Sequence, residues 1–126
     1  MTSEPNPVDA EGTGTEEQPA PACVMSFNAS DPSGAGGMAG DVATIAAMGA
    51  HALPIVATIV MRDTAEVFDQ HALDPDVIAE QARSILEDVT IAAWKVGFLG
   101  SAEGVSAVAE IPVSYTHLTL PTKRIV

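Results

Sequence analysis

Residues 23–111 switch repeatedly between two hydrophobic periods, and the order of the switches narrows the fold more than any other feature of the chain. CVMSF at 23–27 is a short unbroken apolar run, the pattern of a strand buried on both faces, and it ends at the polar Asn28. Met38, Val42, Ile45 and Ala46 then recur at helical spacing, and Gly49 stands where a helix C-terminal glycine belongs. ALPIVATIVM at 52–61 is rich in β-branched residues and reads as a second buried strand, with Pro54 tolerable only because it lies near the start. RDTAEVFDQHAL at 62–73 is polar with isolated apolar residues, a loop or a short edge hairpin. Asp74-Pro75 opens a helix with a cap residue followed by proline at the first helical position, and its apolar face is Val77, Ile78, Ala82, Ile85 and Val89. AAWKVGFL at 92–99 is a third strand, and Ser101 caps a last helix. Strands alternating with helices imply an α/β fold whose parallel sheet is covered on both faces. Three strands leave that sheet with an unfinished edge, as in the front part of a larger domain.

The flanks differ from this middle in composition. Residues 1–22 hold five acids, no base and four prolines, which predicts a disordered acidic tail, and they lack the basic and apolar regions of a signal peptide. Residues 113–126, VSYTHLTLPTKRIV, turn abruptly Thr-rich and basic, and resemble one translated frame of a transposase adapter used in sequencing libraries. The chain therefore divides into a tail (1–22), a folded segment (23–111) and adapter read-through that is not native (112–126), in which His117, Lys123 and Arg124 are given no role. On this division the chain is a fragment.

Charge and cysteine usage exclude several classes of function. The 17 acids against 5 bases give a formal charge of −12, and between residues 23 and 110 the only bases are Arg62, Arg83 and Lys95. No basic stripe is available to neutralise nucleic-acid phosphates, so no nucleic-acid partner is expected. No apolar run approaches the roughly 20 residues of a membrane span, so no membrane partner is expected either. The single Cys23 forms no internal disulfide and suits a reducing, cytoplasmic compartment, where it reads as a small buried hydrophobe. Trp94 reads as core or interface, and Lys95 as an edge residue whose ammonium reaches solvent. His51 and His71 lie 20 residues apart with no third ligand in a plausible pattern, so no metal site is expected.

SDPSGAGGMAGD at 30–41 joins the first strand to the first helix. No Gly-Lys-Ser/Thr follows its glycines, which rules out a P-loop. Gly34-x-Gly36-x-x-Ala39 meets half of a dinucleotide fingerprint, but the acid expected about 20 residues later is absent from ALPIVATIV. What sets the stretch apart is its acids, Asp31 before the glycines and Asp41 in the helix that follows. A carboxylate there is favoured by the helix dipole and equally suits a neutral, donor-rich ligand. Arg62 has open roles as a partner of Asp41 or Asp63, as a phosphate contact, or as a solvated loop residue.

The same stretch resembles the S/T-D-P-S-G-G-A-G-x-x-x-D segment of the hydroxymethylpyrimidine/phosphomethylpyrimidine kinases of thiamine biosynthesis, members of the ribokinase-like superfamily. VATIAAMGAHALPIVATIVMRDT and VIAEQARSILEDVTIAAWKVGFLGSAEGVSAVAE continue the resemblance through residue 110. It implies the front part of a ribokinase-like three-layer α/β/α domain with a mostly parallel sheet, incomplete in this chain. It implies ATP-dependent phosphorylation of hydroxymethylpyrimidine or its monophosphate, with ATP and Mg2+ held mainly by residues outside the chain, so the fragment itself is expected to be inactive. A small aminopyrimidine is the implied partner, and a homodimer is among the assemblies open to the full-length protein. Carried over by position, the substrate-binding residues are Asp41, Val60, Ala29, Arg62 and Phe98, with no catalytic residue in this segment. Three of these depart from the family: Ala29 replaces glycine, Arg62 replaces the usual glutamine, and Phe98 replaces methionine. The departures keep open a ribokinase-like paralogue, or a non-catalytic protein binding another small molecule.

Overall fold

The computed structural model describes residues 20–116. Four strands and three helices follow in order: β1 (Cys23–Ser30), α1 (Gly37–Ala47), β2 (His51–Arg62), β3 (Val67–Ala72), α2 (Pro75–Leu86), β4 (Ala93–Val96) and α3 (Ala102–Thr116). They build one sheet in the order β3-β2-β1-β4. Strand β1 pairs in parallel with both β2 and β4, and β3 runs antiparallel to β2. The alternation expected from the sequence is present, and the polar stretch after Met61 takes its hairpin alternative, making β3 a fourth strand. The expected acidic tail, apart from residues 20–22, and the adapter-like residues from 117 onward lie outside the described residues.

Alternation along β1 separates the two faces of the sheet. Met25 and Phe27 are fully buried in a cluster with Ile55, Ala57 and Trp94, which α2 covers with Ile78 and Ala82 and α3 with Val108 and Ile111. Phe27 and Trp94 stack with ring centroids 6.4 Å apart. Burying each large side chain of this kind contributes about 1.5–3 kcal/mol. The other face of β1 carries Ser26 and Asn28, both bonded to Asp41 of α1. A run that reads as uniformly apolar thus has one polar face.

Several boundaries and faces differ from expectation. Strand β1 runs three residues beyond Phe27 because the polarity of Asn28 is met inside the fold, its Oδ1 accepting the N–H groups of Ala29 and Phe98. Strand β4 stops at Val96, and Phe98 gives its N–H to that side chain instead of to a ladder carbonyl. On α2, Ile78 and Ala82 are fully buried with Ile85 and Val89 packed beside them, but Val77 is 48% exposed. The helix ends at Leu86, so Val89 packs from beyond it, and the 4-3 spacing of Ile78, Ala82 and Ile85 fills the stripe and turns Val77 about a quarter-turn away. On α1 only Met38 is buried and Val42 is exposed, since the helix meets the sheet through polar Asp41. Cys23 is half-buried at the start of β1.

The caps agree with the sequence. The Asp74 carboxylate accepts the Asp76 N–H at 2.9 Å, with Pro75 opening α2. Ser101 Oγ accepts the Gly104 N–H at 2.9 Å at the head of α3. Helix α3 continues past Ile111 to Thr116 with Pro112 inside it. Among the described residues no helix is long and apolar enough to cross a membrane.

Candidate functional site

Between β1 and β2 the pairing slips by one residue. Asn28 lies opposite Val56 but Ala29 lies opposite Thr58, so Ala57 is an extra residue in β2. Residues paired across strands share a face, so Thr58, Val60 and Arg62 stand on the side of Ala29. Regular pairing would put Ile59 and Met61 there instead.

At the carboxyl ends of the parallel strands the chain encloses a cavity of about 420 Å³, in the size range of small-molecule sites. Its walls are Asn28 and Ala29 from β1, Asp31 and Gly37 from the glycine turn, Val60 and Arg62 from β2, Val67, Phe68, Asp69 and Gln70 from β3, and Phe98 beyond β4. Ala29, Val60, Arg62 and Phe98, four of the five residues expected at a substrate site, therefore converge from three separate parts of the sequence. Asp41, the fifth, is not among the lining residues and lies behind Asn28.

The glycine turn is folded around a carboxylate of its own. Asp31 Oδ1 accepts the N–H and the hydroxyl of Ser33 at 2.9 and 2.7 Å, the Asp31 carbonyl accepts the Gly34 N–H at 3.0 Å, and Ser33 Oγ accepts the Ala35 N–H at 3.2 Å. Amides that could cradle a phosphate are used internally. The Ser33 bonds, the Arg62 charge and the Gly36 N–H outweigh desolvation and hold the Asp31 carboxyl below its ordinary value. Gly37 closes the turn with φ +65, where a Cβ would lie 2.6 Å from the Ala29 carbonyl oxygen. No L side chain fits there without moving β1.

Asp41 gathers a polar cluster beneath the cavity. Its Oδ2 accepts Ser26 Oγ at 2.5 Å and Asn28 Nδ2 at 2.8 Å, while Oδ1 lies 2.8 Å from Lys95 Nζ. Ser26 and Lys95 are direct cross-strand partners of β1 and β4, which is why both reach the same acid. Burial pushes the Asp41 carboxyl up, but the bonds from Asn28, Lys95 and Ser26 and the Lys95 charge outweigh it and hold the group below its ordinary value. Lys95 is thus the ion-pair partner of Asp41, where the sequence suggested an edge residue turned to solvent.

Arg62 is also placed more narrowly than the sequence allowed. Its Nε donates to the Asp63 carbonyl at 2.9 Å and its Nη1 lies 3.6 Å from Asp31 Oδ2, an ion pair without a short hydrogen bond. It does not pair with Asp41. The Asp63 carboxylate instead accepts the N–H groups of Ala65 and Glu66 at 2.7 and 2.9 Å, which shapes the hairpin turn. Those bonds hold the Asp63 carboxyl below its ordinary value.

Sequence reasoning passed over Asn28, Phe68 and Gln70. An exposed phenylalanine in a polar stretch was a signal for Phe68, and an amide closing an apolar strand was one for Asn28. Among the described residues no three His, Cys, Asp or Glu side chains gather as metal ligands.

Residues 31–120 match the family described as phosphomethylpyrimidine kinase. The chain is 34% identical over 87 residues to the hydroxymethylpyrimidine/phosphomethylpyrimidine kinase of Escherichia coli (strain K12), covering 69% of this chain and 33% of that protein. It is 30% identical over 106 residues to the kinase of the same name from Mycobacterium leprae, covering 84% of this chain and 37% of that one. The crystal structure of phosphomethylpyrimidine kinase from Clostridium difficile 630 matches with a TM-score of 0.71 at 26% identity, over 75% of this chain and 41% of that one. The chain spans about a third of the length of the curated relatives it matches. With its mostly parallel sheet in the front-part arrangement of a ribokinase-like domain, the chain belongs to the phosphomethylpyrimidine kinase family.

Proposed function

We propose that this chain is the substrate-side segment of a kinase that uses ATP to phosphorylate hydroxymethylpyrimidine or its monophosphate in thiamine biosynthesis. The observation that carries the reading is the convergence of Ala29, Val60, Arg62 and Phe98 on one cavity at the carboxyl ends of parallel strands, where open α/β sheets bind ligands. Val60 and Phe98 offer apolar surface to a flat ring. Among the described residues only Lys95 meets Asp41 Oδ1, so the carboxylate behind Asn28 keeps an acceptor position, which this reading assigns to a substrate amino or hydroxyl group. The relatives' names and the multifunctional thiamine-biosynthesis protein of Corynebacterium glutamicum, 35% identical over 94 residues, support the substrate class.

The described residues do not fit a nucleoside triphosphate. The cavity sets Asp31 and Asp69 against one cation, Arg62, and the amides of Ser33, Gly34 and Ala35 are already bonded. In this reading ATP and Mg2+ are held by the remainder of the enzyme. The test is ADP release by the full-length protein with hydroxymethylpyrimidine and with its monophosphate. Turnover of either is expected, and turnover of neither would end the proposal.

Arg62 favours a second reading, a ribokinase-like paralogue acting on another small heteroaromatic alcohol. Its Asp31 pairing puts charge where the family carries an amide. Pyridoxal run beside the pyrimidines separates the two. Residues 112–126 are read as adapter-derived on their abrupt Thr-rich, basic composition, against a family match that runs to residue 120 and a helix that runs to Thr116. Resequencing the source gene across codon 110 checks this, and a frame that continues natively as VSYTHLTLPTKRIV would overturn it.

A further inference from the structure

Asn28 is 5% exposed and sits on the seam between β1 and β4. Its Oδ1 accepts the Ala29 N–H at 2.8 Å and the Phe98 N–H at 3.0 Å, the second across 70 residues of sequence. Both bonds end on walls of the cavity. Strand β4 has already stopped at Val96, so this side chain stands in for the ladder at Phe98. Gly97 packs so closely on the carboxamide that a Cβ there would overlap it. The amide can serve both N–H groups only with its oxygen turned toward them, and Asp41 enforces that orientation by accepting from Nδ2 at 2.8 Å.

We infer that Asn28 is a positioning residue of the substrate site: its carboxamide, oriented by Asp41, fixes the spacing between the Ala29 and Phe98 walls and thereby the affinity for the ring. The affinity half of this inference rests on the pyrimidine-kinase reading, whereas the brace itself does not.

Asn28→Asp in the full-length protein tests both halves. It keeps an acceptor of the same size, loses the donor, and sets a second carboxylate against Asp41, with Lys95 the facing cation and Ser26 the facing neutral donor. Two carboxylates at this distance share a proton only at lower pH. Near pH 7.5 the variant is expected to exchange the Phe98 amide about tenfold faster than wild type and to raise KM about tenfold with kcat within about twofold. Near pH 5, where a shared proton restores the donor, both ratios to wild type are expected to return toward one. Unchanged exchange and KM overturn the inference, and so does a loss that fails to recover at low pH, which marks general damage. If the variant does not fold, wild type decides. A Phe98 amide that exchanges as fast as an unbonded loop amide overturns the brace, and one about tenfold slower supports it. An active wild type with unmoved exchange in the variant sinks the brace alone. A wild type that phosphorylates no pyrimidine but shows the exchange pattern keeps the brace and overturns the affinity claim together with the kinase reading.

Discussion

Asp41 holds three of the chain's own donors, and that arrangement has consequences for both stability and affinity. Its folded pKa lies below the ordinary 3.8, so its ionised form stabilises the fold at every pH above that value, and the contribution is lost as pH falls through the lower folded pKa. Asp31 and Asp63 shift in the same direction. Acid unfolding followed by circular dichroism is therefore expected to begin below about pH 4 and to move to higher pH in Asp41→Ala. In the full-length enzyme Asp41→Asn removes the charge but keeps the shape, and calorimetry with hydroxymethylpyrimidine is expected to show about 1–3 kcal/mol of lost binding. Unchanged affinity would rule out a direct anchor. The sequence marked Asp41 as unusual and, through resemblance, pointed to four cavity residues. It could not show Lys95 or Ser26 beside Asp41, because that meeting depends on the β1–β4 register, which no local pattern encodes.

The order of strands and helices was legible because each buried element repeats its own period over many residues. Ends and slips were not, because they depend on partners. The extra Ala57 leaves no mark in ALPIVATIVM, yet it decides which side of β2 meets the site. Inserting one alanine between Thr58 and Ile59 in the full-length enzyme is expected to bring Ile59 and Met61 to the cavity in place of Val60 and Arg62 and to lower kcat/KM at least about a hundredfold. Val60→Ala should cost far less. Asp74→Ala makes a useful contrast, since it removes the α2 cap and Asp74 does not line the cavity. It is expected to cost about 1 kcal/mol in thermal unfolding with kinetics unchanged.

For the molecule as a whole, the two edges of the sheet are unequal. The antiparallel strand β3 ends one side, whereas β4 has a partner on one side only among the described residues. Beside it Trp94 is buried with no partner for its indole Nε1 among the described residues, next to an apolar cavity of about 180 Å³ reaching from Phe27 to α3. An unpartnered donor beside unfilled apolar space costs about 1–3 kcal/mol that a neighbouring carbonyl could recover. Residues 23–111 expressed alone are thus expected to unfold without a sharp transition and to aggregate through the β4 edge, which light scattering during a thermal ramp would show. Phe27 and Trp94 already assemble their stack on the inner side of that edge. The seam beside β4 is therefore a natural place to divide such a protein, so that a separately made second part, mixed in solution, could dock along that edge and be scored by the passage of the indole into a bonded, dry environment.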